Sequence, residues 1–225
     1  MNIWKIILLT LKEYHKRRYL YYLLVLCIAP TIALDSILEV LHEGFVNAVL
    51  DGIAFGIVSF CAFAMILLGM QTYSSKIDSG SIVLDITKPL NRKEYFIGKV
   101  ISNIIVLFIC IAGILLSSAL LLHIHGYHIP SEIFSRASGI VTLTPLFILS
   151  VVSLINLYLS TKATGISAFI IYIIYFKIQD YLMNIQYDPK FTVMGRSFSG
   201  ISLAIEVITI LLITIGTLLF NRKEL

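Results

Sequence analysis

Along this chain, stretches of about twenty residues with almost no charge alternate with short polar segments rich in Lys and Arg. A hydrocarbon layer about 30 Å thick needs roughly 20 apolar residues to cross as a helix. On that measure 52–73, 100–122, 140–161 and 201–220 read as spans, and the one charged side chain within them is Glu206. Two more stretches, 19–38 and 163–183, are less clean. The first holds Pro30 and Asp35, the second Lys177 and Asp180 near its far end. Both cross if those charges sit at the interface. Ahead of the first span, 2–18 has apolar residues at helical spacing: Ile3, Ile7, Leu11 and Tyr14 fall beside Trp4 and Leu8, with Lys5, Lys12, Glu13 and Lys16 mainly elsewhere. This predicts a helix lying in the membrane interface, held by Trp4 and the lysines. It does not read as a signal peptide, because the basic residues follow the apolar run and no small-residue cleavage site comes next.

Composition agrees with the pattern. With 58% hydrophobic and 13% charged residues over 225 positions, the chain has more apolar surface than one water-soluble core buries. Charge distribution then sets an orientation. Thirteen of the seventeen Lys and Arg fall in the N-terminal segment, the 74–99 loop, the turn at Lys162 and the C-terminus. The other side holds Arg136, Lys177, Lys190 and Arg196 and most of the acids, including Glu39, Glu43, Asp51 and Asp188. The positive-inside rule therefore places both ends in the cytoplasm, in one membrane domain over 1–225. Tyr19, Tyr21, Tyr22 and Tyr73 fall at the predicted cytoplasmic boundary as anchors, and Gly52 and Gly56 form a GxxxG pair suited to close helix approach. Cys27, Cys61 and Cys110 lie in separate apolar runs and read as hydrophobes, too scattered for a disulfide framework or metal cluster.

The most informative loop is 74–99. Ser79-Gly80 interrupts the helix leaving the membrane, 82–86 is a short apolar piece, and Pro89 ends it. Asn91 and Glu94 then have capping-box spacing, which predicts a new helix feeding the third span. The product is a helix-break-helix elbow. Its order of Asp78, Gly80-Ser81, an apolar run, Pro89, Asn91-Arg92, Glu94 and Gly98-Lys99 resembles the type-2 ABC permeases, six-helix membrane subunits of exporters. The N-terminal helix with Lys12-Glu13, the ending from Phe220 to Leu225 and the spacing of six spans are similar to that family too. One departure is Lys76, where many members have Glu.

The resemblance implies an all-α integral membrane fold: six transmembrane helices, the N-terminal interfacial helix, the elbow as a coupling helix, and short re-entrant helices in 180–200 before the last span. It also implies partners: a cytoplasmic ABC ATPase that carries ATP and magnesium, and a second permease copy. Asp78, Gly80, Pro89, Arg92, Lys93 and Glu94 are then the residues that couple to the ATPase. A rigid protruding element with charges to fix its register is what such a contact requires.

Several chemistries lack support. Gly98-Lys99 has no glycine five residues before it, so it is no phosphate-binding loop, and the chain is expected to bind no cofactor of its own. His42-Glu43 has no second His at zinc-protease spacing, and Gly165-Ile166-Ser167 does not complete a nucleophile elbow. No nucleic-acid partner is expected. His123, His125 and His128 cluster after the third span, but no Cys, Met or carboxylate completes a metal set, and interfacial histidines are the favoured reading. Asp35 and Glu206 are polar sites within spans; for Glu206 a pair with Lys177 or Arg196 outweighs a cargo contact. Asn103, Asn156 and Gln71 read as interhelical hydrogen bonds. Two other classes of function fit the pattern less well. A gradient-driven transporter would show paired intramembrane acids, and a non-transporting anchor would use the same elbow only to recruit proteins. A hydrophobic or amphipathic cargo suits the apolar spans.

Overall fold

A computed structural model describes residues 3–41, 44–72, 92–131, 133–134, 140–184, 190–193 and 196–222. The chain is helical apart from one two-stranded antiparallel pair among these residues. Helix α1 is Ile3–Lys16 and α2 is Tyr19–Leu41. Helix α3, Phe45–Gly56, runs through a π-helical turn, Ile57–Cys61, into α4, Ala62–Thr72. Then come α5 at Arg92–Ile124, α6 at Ile140–Ile155 and α7 at Thr161–Asn184. Strands β1, Lys190–Val193, and β2, Arg196–Ser199, precede α8 at Gly200–Arg222. Each predicted apolar stretch is thus helical, with shifted ends: the second begins seven residues early at Phe45, and α6 stops at Ile155 where a turn replaces the rest of 140–161. Three helical stretches, Phe45–Met70, Lys93–Ile124 and Thr161–Ile178, are long and apolar enough to cross a membrane, which marks the protein as membrane-associated. Shorter apolar helices cover Tyr19–Ala33, Val141–Ile155 and Ala204–Phe220.

The helices alternate in direction, and side-chain contacts define two ends. At one, Phe45 at the start of α3 lies 4.6 Å from His125 and 5.6 Å from Tyr127, just past α5. At the other, Tyr95 and Phe96 near the start of α5 meet Phe220 near the end of α8. Asn156, in the turn before α7, donates to the carbonyl of Gly69 at this second end. Lys99, Lys162 and the basic stretch of α1 all belong to it. The centre of the packing is α3–α4 with the π turn, flanked by α2, α5 and α6. Pro30 removes one backbone donor within α2, and the Thr31 hydroxyl donates to the carbonyl of Cys27 at 2.7 Å next to that gap. At Gly56 of the GxxxG pair a Cβ would come within 2.4 Å of Thr31 Oγ1, so α2 and α3 approach there as the motif suggested.

One expectation is corrected here, and two others gain detail. The described residues between Asn184 and Gly200 form β1 and β2 rather than short re-entrant helices, with Phe191 opposite Phe198 and Thr192 opposite Ser197. Segments with aromatic and β-branched residues fit cross-strand pairing better than a one-turn helix. Helix α1 does not use one apolar face. Ile6, Ile7, Thr10 and Tyr14 are buried, whereas Trp4 and Leu8 are 65% and 64% exposed on a neighbouring strip. The cysteines, dispersed in sequence and read as hydrophobes, are indeed buried, and in one core cluster: Cys27 and Cys61 have sulfurs 3.9 Å apart, Cys110 belongs to the same cluster, and all three are fully buried free thiols. Small side chains at a crossing of three helices explain that convergence, because packing attraction in lipid favours close backbones.

Candidate functional site

Two of the elements singled out in the sequence meet at the α1–α5 junction. Gly98 lies one turn and a half into α5, and a Cβ there would stand 2.8 Å from Ile6 Cγ2. The absent side chain is what lets α1 lie directly on α5. One residue on, Lys99 is 4% exposed, and its Nζ is 3.7 Å from Glu13 Oε2 and 5.8 Å from the centre of the Tyr95 ring. The other Glu13 oxygen lies 3.2 Å from the Arg17 guanidinium. A turn further, Asn103 is fully buried and accepts a 2.8 Å hydrogen bond from the Tyr14 hydroxyl. Glu13 and Tyr14 of α1 therefore hold Lys99 and Asn103 of α5, positions four apart that share a helix face.

A lysine this buried needs its counter-charge, since removing one partner of a buried pair leaves an uncompensated ion. Glu13 keeps 29% of its side chain exposed, and its second oxygen serves the exposed Arg17. In the same part of α5, Phe96 packs on Phe220 in a cluster that also holds Ile6 of α1, and Gly216 lets that ring approach, with a Cβ there 2.8 Å from Phe96 Cζ. Both the first and the last helix thus grip the first three turns of α5. At the junction an ion pair and a hydrogen bond fix two helices together.

Arg92, Lys93 and Glu94 form the first turn of α5, where a carboxylate complements the helix N-terminus. Lys93 is exposed and Glu94 half-buried. The predicted start of a helix just after Asn91 agrees with α5 beginning at Arg92. Asp78, Gly80 and Pro89 lie outside the described residues, as do Lys76 and Asn91. On α1, Lys12 is exposed beside Lys5 and Lys16. Asp35 lies within α2. Glu206 is exposed on α8 and does not pair with Lys177, which is exposed on α7. The reason is placement, since α7 packs on α4 and α6 while α8 packs on α6 and α5. His123, His125 and His128 are all exposed; His125 Nδ1 lies 2.9 Å from the carbonyl of Leu121 and its ring sits on Phe45. Among the described residues no group of three or more His, Cys, Asp or Glu side chains is arranged to hold a metal ion. Asn103 and Asn156 each make an interhelical hydrogen bond.

Sequence reasoning counted Lys99 as one more positive charge and missed its burial. The available signal was local: Asn103 stands one turn after Lys99, and Tyr14 follows Glu13, so a polar pair on each helix faces a partner of matching chemistry. Compared with known proteins, the chain matches no family model, and no curated protein is significantly similar to it.

Proposed function

We propose that this chain is the membrane-spanning permease subunit of an ABC transporter of the type-2 kind. In this reading it crosses the cell membrane six times with both ends in the cytoplasm and has no ATPase site of its own. A separate cytoplasmic ATPase, carrying ATP and magnesium, drives it through the 74–99 elbow, and a second permease copy completes the pathway. Its cargo is hydrophobic or amphipathic and leaves the cell. The observation that carries the proposal is the grip of α1 and α8 on the first three turns of α5, next to the elbow. A push on the elbow then enters a block of three helices joined by the Glu13–Lys99 pair and the Phe96–Phe220 contact, rather than one frayed helix end. Arg92, Lys93 and Glu94 stand at the mouth of that block, and α5 is long enough to carry motion across a bilayer: 33 residues, about 50 Å at 1.5 Å per residue.

The test is recruitment. An affinity-tagged chain purified from its native membrane should bring down a cytoplasmic ATPase, and Asp78→Arg or Arg92→Glu should remove that ATPase while leaving the chain in the membrane. Purification without any ATPase, or recruitment that survives both substitutions, would refute the proposal.

A further inference from the structure

Between α4 and α7 runs an apolar groove of about 520 Å³, within the size range of ligand sites. Its walls include Phe63 and Met70 from α4 and Gly165, Ile166 and Phe169 from α7, and Lys162 stands at one end. At the other end the Phe63 and Phe169 rings meet edge to face, centroids 6.5 Å apart, and close it. Near Lys162 the groove owes its width to Gly165, where a Cβ would fall within 2.4 Å of Met70 Cε. From Lys162 to Phe169 the helix rises about 10 Å, roughly two thirds of the apolar depth of one leaflet.

The structure assigns this groove, we infer, to one anionic phospholipid: an acyl chain lies along Ile166 down to the Phe63–Phe169 floor, and the headgroup phosphate sits on Lys162. Charge complementarity argues for that occupant. Every other part of the lining named here is apolar, and the single cation is at the mouth. Lys162 is exposed, and among the described residues no carboxylate pairs with it. It lies at the same end as Lys99 and the basic stretch of α1, the end that the proposed orientation puts at the cytoplasmic leaflet. That leaflet is where anionic lipids concentrate, and basic pockets between helices on that side take their headgroups. The inference rests on the proposed orientation but not on any ATPase.

The full-length chain, purified in detergent and stripped of lipid, should be titrated with phosphatidylglycerol and with phosphatidylcholine while bound lipid is read by native mass spectrometry. Phosphatidylglycerol should bind preferentially, and K162Q should lower its affinity about fivefold, the effect of one surface cation on an anionic lipid. K177Q, an exposed lysine at the far end of α7, should leave it unchanged. I166W should fill the groove and reduce binding of both lipids. Equal binding of the two lipids by the wild-type chain, or phosphatidylglycerol binding unaffected by K162Q, would overturn the assignment. So would I166W breaking a dimer without changing lipid binding, since a second copy would then be the occupant. Because the titration uses this chain alone, its failure leaves the ATPase proposal standing, and loss of the ATPase proposal leaves the titration unaffected.

Discussion

Helices α3–α4 and α7 are both apolar and both long enough to cross a membrane, yet they live in different surroundings. Within the most apolar stretch of each, 56% of α3–α4 residues are buried against 11% for α7. Hydropathy does not separate them in kind; the small residues at the helix contacts do. The buried positions of α3–α4 include Ala48, Gly52, Gly56, Cys61, Ala62 and Ala64, whereas α7 turns Ile166, Phe169, Ile170, Ile173 and Ile174 outward. In lipid there is no hydrophobic gain from hiding an isoleucine, so a helix reaches the centre where small residues let backbones come close, and the bulky side chains between those contacts, such as Ile53, Ile57 and Met65, are buried with it.

That contrast predicts a graded response to substitution, best followed by thermal unfolding in detergent. The largest effect belongs to Gly56→Leu, which drives a branched side chain into Thr31 and costs about 3 kcal/mol or more, the upper range for overpacking; a small change would mean that α2 and α3 do not pack as described. Next is Glu13→Gln, which strips the counter-charge from buried Lys99. Because Glu13 is partly exposed, the loss should be about 1–2 kcal/mol rather than the 3–5 of a fully buried pair. Pairing it with Lys99→Met should restore part of that loss, and strict additivity would deny the coupling. Third, Asn156→Leu removes the bond to the Gly69 carbonyl and should cost about 0.6–1.7 kcal/mol, the span measured for hydrogen bonds in membranes. The smallest effect is Ile174→Leu on the outer face of α7, within about 0.5 kcal/mol. If Ile174→Leu proves as harmful as Asn156→Leu, a protein surface rather than lipid covers α7.

A second axis of the same comparison is chemical access. Cys27, Cys61 and Cys110 should resist maleimide in the folded protein and react in denaturing detergent, whereas Tyr127→Cys, at an exposed position beyond α5, should label at once. Prompt labelling of the native thiols would contradict their burial among α2, the π turn and α5.

The helix positions were legible because twenty-residue runs without charge leave the backbone no other way to satisfy itself in lipid. Helix α5 was legible to its first residue through Asn91 and Glu94. The junction was half legible: Glu13 and Gly98-Lys99 stood out, but nothing in one sequence says that they touch across more than eighty residues. Which apolar strip of α1 packs on α5 was not legible, because only the partner decides which is buried. That the cysteines share one cluster was not legible, because distance along the chain says nothing about which helices cross. Glu206 and Lys177 look like a pair on charge alone, but the order in which α7 and α8 pack around α6 keeps them apart.

The π-helical turn at Ile57–Cys61 leaves a mark that an experiment can read without a structure. A π turn holds one extra residue, so positions beyond it are rotated by about 100° relative to a continuous α-helix. Tryptophan scanned through 45–72 should therefore show tolerance with a 3.6-residue rhythm on each side and a one-residue skip between them, as if the two halves of one span kept time to the same beat a step apart.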